Sequence, residues 1–195
     1  MPSCAIVYFS AAGHTRLMAD ILGKELAEQG IEVSLLDVET MAPEDWDCLR
    51  GVDGMLWGSP TYMGGVAAQF KTFMDESALP WEHRHWADKL AGGFTVAIHP
   101  AGDKLATLQQ MSILAAQHGM LWVGQEVVGA PVVPENAGLN VNGVWLGLDA
   151  VGIDDATLVA EGDRATARAF ARRFAAALKR WGANPAIGAG NSPPK

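Results

Sequence analysis

The chain has 195 residues, a formal net charge of −8, 49% hydrophobic residues and 18% charged ones. That length suits one domain with a sizeable core, and the composition excludes a disordered chain. The acidic balance argues against a nucleic-acid face or an anionic membrane partner, and no apolar run reaches the roughly 18 residues of a membrane span.

The apolar pattern alternates between two kinds of segment. Ala5-Ile6-Val7-Tyr8-Phe9 is a short continuous run that reads as a buried strand. Before it, Met1-Pro2-Ser3 has no basic leader, so a cytoplasmic protein is expected. From His14 to Gln29 the apolar residues Leu17, Met18, Ile21, Leu22 and Leu26 fall at helical spacing, and Gly30 is a stop. Ile31 to Val38 is the second strand, Pro43 to Leu49 a short helix or turn, and Gly54 to Gly58 the third strand. A helix over Val66 to Ser77 follows, then a fourth strand over Gly93 to Ile98. Leu105 to His118 is helical, with Leu105, Leu108, Met111, Leu114 and Ala115 inward, and Met120 to Val123 opens the fifth strand. Gly129 to Gly152, rich in Gly, Pro and Asn, reads as an excursion loop with room for a short extra strand. Glu161 to Trp181 is a final helix with Phe170, Phe174 and Leu178 as its stripe, and Arg168, Arg172 and Arg173 on a solvated face. Residues 1–182 thus read as one domain and 183–195 as a mobile tail. Cys4 and Cys48 form no C-x-x-C and read as two buried thiols.

Five strand–helix units imply a parallel sheet covered on both faces, an α/β three-layer sandwich. Ligands in such folds sit beyond the carboxyl ends of the strands. The loops Ser10–Thr15, Ser59–Gly65 and His99–Lys104 are therefore the places to seek function. The first supplies two hydroxyls (Ser10, Thr15), Gly13, and the free N–H groups of a helix start, which suit a phosphate. It is equally consistent with a capped helix that binds nothing. It lacks G-x-G-x-x-G and G-K-[ST], which argues against a dinucleotide Rossmann site and a P-loop. In the second loop Pro60 fixes the exit, Gly64 and Gly65 allow close approach, and Tyr62 and Met63 offer flat or polarizable surface. A plain turn would use the same residues.

In order and spacing these motifs resemble the flavodoxin superfamily, and most of all its WrbA-type NAD(P)H:quinone oxidoreductase branch. The segments that carry the resemblance are Ser10–Thr15, Gly58–Gly64, Gln69–Asp75 and His118–Met120, within roughly residues 4–182. It implies a flavodoxin-like sandwich with a five-stranded parallel sheet in the order 2-1-3-4-5. It implies FMN with its phosphate on Ser10, Ala11, Ala12, Gly13, His14 and Thr15. One edge of the ring would lie on Pro60, Thr61, Tyr62, Met63 and Gly64, and the other on Ala97, Ile98, His99, Pro100, Ala101 and Gly102. His118 matches a histidine bordering the flavin, the catalytic candidate that would hydrogen-bond the quinone oxygen or supply a proton, and Trp81 an aromatic facing substrate. On residue type alone, His118 is equally a histidine at a helix C-terminus and Trp81 ordinary packing. The implied reaction is reduction of a quinone by NAD(P)H, with hydride passing to and from flavin N5, in a homodimer or homotetramer. The third loop departs from the branch's Thr/Ser/Gly-rich pattern: Pro100 lacks a backbone donor and Asp103 adds negative charge. Ala12 stands where many reductases of this branch carry an aromatic. Two rival readings are a one-electron carrier that docks through its acidic surface, and a domain of this fold that binds no flavin. His83 and His85, two apart, do not share a helix face, so no metal site is expected.

Overall fold

The computed structural model describes residues 1–153 and 159–183. The tail expected over 183–195 lies outside them except for Ala183. Strand β1 (Ser3–Tyr8) leads to α1 (His14–Glu28), β2 (Glu32–Asp37), α2 (Pro43–Gly51) and β3 (Gly54–Tyr62). A two-residue β4 (Gly65–Val66) follows, then α3 (Ala68–Glu76), α4 (Ala78–Glu82) and β5 (Leu90–Ala97). Last come α5 (Lys104–Gln117), β6 (Leu121–Trp122), β7 (Leu148–Val151) and α6 (Glu161–Gly182).

The sheet runs β2-β1-β3-β5, with the position beyond β5 filled twice. β6 pairs with the start of β5 (Leu90↔Leu121) and β7 with its end (Phe94↔Leu148 to Ala97↔Val151), both parallel. The five sheet positions follow the expected order, but residues 123–147 interrupt the fifth strand. Leu148–Val151 is the short extra strand for which the excursion over Gly129–Gly152 left room, and it returns the chain to the sheet. Asp149, buried within it, breaks the apolar run that would have marked that strand.

Alternate strand residues feed two cores. Ile6, Leu56 and Phe94 pack with α1 and α6, while Val7, Met55 and Trp57 pack with α3 and α5. Each fully buried side chain of this size contributes about 1.5–3 kcal/mol. The second core holds a run of tryptophan rings in contact, Trp122–Trp57–Trp86–Trp46. Gly58 is required between the cores, because a Cβ there would lie 2.1 Å from Phe94 Cζ. Gly58→Ala is expected to cost about 1–3 kcal/mol by overpacking. Gly51→Ala, with nothing within 4 Å, should stay within about 0.5 kcal/mol of the parent. Thermal unfolding of the two variants checks the contrast.

The excursion is tied down. Arg173 Nε donates to Gly124 O at 2.7 Å, and its guanidinium also pairs with Glu126. Trp122 Nε1 donates to Leu146 O at 2.6 Å, and Asn140 N to Thr166 Oγ1 at 2.9 Å. The arginine face of α6 is solvated as expected, its side chains 36–51% exposed, and it also carries ion pairs. Arg173 anchors the excursion, Arg172 reaches the buried Glu25 at 3.2 Å, and Arg168 pairs with Glu161 at 2.5 Å. Two burial expectations are corrected: Leu105 is 52% exposed, and Cys48 is only half-buried.

Candidate functional site

The three loops meet at the carboxyl ends of β1, β3 and β5 around a cleft of about 480 Å³. It lies where the winding of the sheet reverses, between β1 and β3. Ser10, Ala11, Ala12, His14 and Thr15 line one end of the chain's contribution, and Pro60, Thr61 and Tyr62 come from the second loop. The third loop adds Ala97, Ile98, His99 and Gly102, joined by Val96 and Gly152. The last two were missed by the motifs. Gly152 enters because β7 ends beside β5, and only the pairing of these strands reveals it.

The first loop is built as a cup. Gly13 takes a left-handed conformation (φ 101), which curls the backbone into the start of α1. The Ser10 hydroxyl oxygen accepts from Gly13 N at 3.2 Å and Arg16 N at 3.1 Å, leaving its own hydrogen for another acceptor. Among the described residues the Thr15 hydroxyl, at the cleft wall, has no protein partner. Hydroxyls at the positive end of a helix dipole suit a phosphate dianion. His14 Nε2 contacts Ile153 O at 2.7 Å, fastening this loop to the end of the sheet.

The second loop is a hairpin. Met63 and Gly64 both have positive φ (47° and 78°), as a two-residue turn between paired strands demands. Met63 stands fully exposed at its tip, and it and Gly64 line a neighbouring groove toward α5 instead of the cleft. Below the cleft Thr61 Oγ1 meets Thr95 Oγ1 at 2.8 Å and Thr107 Oγ1 at 2.7 Å. This hydroxyl trio ties the second loop to β5 and α5, the elements that flank the third loop. Gly102 and Asp103 are both left-handed (φ 51° and 53°), so the third loop has two sides. His99 and Gly102 face the cleft, whereas Pro100, Ala101 and Asp103 face a groove on the other side. The negative charge of Asp103 is therefore not a cleft wall.

Just behind this loop is a buried polar cluster that the motifs did not reveal. Lys104 (1% exposed) is ion-paired with Asp149 (5% exposed), and its Nζ donates to Ala150 O at 3.3 Å. Asp149 also accepts from Asn142 Nδ2 at 2.8 Å. Nearby, Asp163 accepts from Val151 N at 2.9 Å, and burial raises its carboxyl above the ordinary range.

Two residues implied by the resemblance stand elsewhere. His118 lies at the C-terminal end of α5, whose N-terminus carries the third loop. Fourteen helical residues separate the two ends by about 20 Å. Ser77 Oγ donates to Met74 O at 2.7 Å and so accepts from His118 Nε2 at 2.9 Å. The His118 ring stacks on Trp86 at 4.2 Å, and its buried Nδ1 has no partner among the described residues. Trp81, on α4, is 54% exposed and also lies away from the cleft. Neither residue reaches the cleft of its own chain.

Burial lowers the His118 pKa from 6.5 to about 4, so the ring is neutral near pH 7. A histidine whose pKa falls on folding favours the unfolded state as protons are added. Its contribution is fully present above pH 6.5 and is lost as the pH falls toward 4. The size is on the order of 3 kcal/mol. Urea unfolding from pH 7 down to pH 4 should show that extra loss in the parent and not in His118→Gln. Equal pH slopes in the two proteins would sink this assignment.

The fold and the cleft together define a flavodoxin-like flavoprotein. The profile of the NADPH-dependent FMN reductase family matches residues 46–133. The chain is 36% identical over 181 residues to the flavodoxin FldP of Pseudomonas aeruginosa, spanning 90% of this chain and 96% of that one. It is 34% identical over 106 residues to an NAD(P)H dehydrogenase (quinone) of Archaeoglobus fulgidus, spanning 54% of each. A WrbA-like flavodoxin of Agrobacterium tumefaciens superposes with a TM-score of 0.72 at 32% identity, covering 92% of this chain and 99% of that one. The chain belongs to the FMN-binding flavodoxin family, in its WrbA and FMN reductase type. It is an oxidoreductase whose cofactor is FMN. The cup, with the unpartnered Thr15 hydroxyl and the spare Ser10 hydrogen, fits the phosphate, and the apolar rims fit a flat ring.

Proposed function

We propose that the chain is a NAD(P)H:quinone reductase that works on bound FMN. The observation that carries this reading is the shape of the cleft. It has a polar cup at one end and, at its rim, the apolar side chains of Tyr62 (48% exposed) and Ile98 (59% exposed). When bound, FMN supplies the two-electron chemistry. The chain's part is placement. Ser10 and Thr15 hold the phosphate, with Ala11, Ala12, Gly13 and His14 shaping the cup. Pro60, Thr61 and Tyr62 border one edge of the ring, and Ala97, Ile98, His99 and Gly102 the other. Between Tyr62 and Ile98 the rim would admit one planar partner at a time, nicotinamide or quinone, which would give ping-pong kinetics. The reaction needs no protein nucleophile. His118, neutral and distant in its own chain, gives no proton there.

The exposed Leu79 and Trp81 on α4 (61% and 54%) suit contact between copies in a homodimer or homotetramer. In such an assembly Trp81 would face a neighbouring subunit. Among the described residues no helix is long and apolar enough to cross a membrane.

The test is NADPH or NADH oxidation by FMN-loaded protein with p-benzoquinone as acceptor. The expected rate is far above that of free FMN with parallel double-reciprocal plots, and a rate equal to free FMN overturns the reading. The net charge of −8 favours a second reading, a one-electron carrier docking on a larger partner. That reading requires reduction in two well-separated one-electron stages.

A further inference from the structure

The groove behind the third loop is not explained by cofactor binding. It has a volume of about 730 Å³ and runs between the third loop with the start of α5 and residues 142–146 of the excursion. We propose that it holds the apolar tail of an alkylated or prenylated quinone whose head lies over the cleft. This rests on the quinone reductase reading above and names the substrate class for it.

Three observations carry the inference. The first is adjacency: the third loop is the shared wall of cleft and groove, with His99 and Gly102 on one side and Pro100 and Ala101 on the other. The second is chemistry. Leu105 and Trp145 both line the groove, and each is 52% exposed. Leu105 belongs by spacing to the buried stripe of α5, yet it faces the groove. Val144, Leu146, Pro100 and Ala101 extend the same apolar lining. The third is charge. The groove's one cation among its lining residues, Lys104, is locked in its pair with Asp149, and Asp103 adds a negative charge. Apart from the neutral amides of Gln109 and Asn142, the rest of the lining is apolar and suits a neutral chain.

The outer wall is held in place before any ligand arrives. Trp122 Nε1 holds Leu146 O at 2.6 Å, Gln125 N holds Trp145 O at 2.9 Å, and Asn142 is held by Asp149 at 2.8 Å. A preformed apolar groove converts tail burial into affinity with little ordering cost. This gives the excursion a purpose: it builds the wall that a shorter fifth-strand connection would lack.

The experiment uses the FMN-loaded protein and two probes, 2,3-dimethoxy-5-methyl-1,4-benzoquinone with and without a decyl chain at C6. Binding is read by calorimetry under air without donor, and turnover separately with NADPH and NADH. The decyl probe is expected to bind on the order of tenfold or more tighter. Trp145→Ser and Leu105→Gln, both at exposed positions, should erase most of that advantage and leave turnover of the tailless probe unchanged. Equal affinity for the two probes, or an advantage that survives both substitutions, overturns the proposal. Turnover without any tail advantage leaves the reductase reading standing and removes the groove. A tail advantage without turnover keeps the groove and removes the reductase.

Discussion

Replacing Lys104 with alanine is expected to lower folding stability by about 3–5 kcal/mol, the usual loss when one partner of a buried ion pair is removed. Lys104 and Asp149 are both almost wholly buried, so neither charge has water to fall back on. Without the ammonium group, the Asp149 carboxylate keeps, among the described residues, only its bond from Asn142. The pair joins the start of α5 to β7, so the damage falls where the third loop, the fifth strand and the excursion meet. Urea unfolding of the FMN-free protein, followed by tryptophan fluorescence, gives the number. The double variant Lys104→Met/Asp149→Leu should recover most of the loss, because an apolar pair of similar volume needs no charge balance. A single-variant loss below about 1 kcal/mol would contradict the burial on which this argument stands.

Ala12→Asp should weaken FMN binding on the order of 100-fold while leaving the fold intact. Ala12 is exposed at the cleft, next to the left-handed Gly13 that opens α1. A carboxylate there lies beside the phosphate cup and repels a dianion. It also lies at the positive end of α1, where an acid is favourable by about 0.3–1 kcal/mol. The variant should therefore unfold no earlier than the parent. Riboflavin, which lacks the phosphate, should bind both proteins within about threefold of each other. FMN and riboflavin weakened alike would mean that the phosphate is not held by this loop.

Much of the architecture was legible because parallel strands buried on both faces write themselves as apolar runs. Ala5–Phe9 and Gly54–Gly58 are such runs, and the helices between them show their stripes. The loops that meet at the cleft were legible because Gly13, Pro60 and Gly102 mark the turns. What was hidden depends on contacts between distant residues. The excursion left room for a short strand, but the charge at Asp149 hides its position at Leu148–Val151 until Lys104 is known to lie against it. Leu105 fits a helical stripe, but the stripe does not say that the excursion leaves a groove over it. Arg173 resembles any surface arginine until its bond to Gly124 O is seen. His118 was assigned by motif, and motif order cannot tell which end of α5 faces the cofactor.

The most direct test of the central claim is the absorbance spectrum of the protein with added FMN, taken without oxygen before and after NADPH, then NADH. The account predicts flavin bands shifted from those of free FMN. They should bleach in one two-electron step with at least one donor and return when p-benzoquinone is added. Bands that stay at the positions of free FMN would contradict the assignment of the Ser10–Thr15 cup and the cleft beside it.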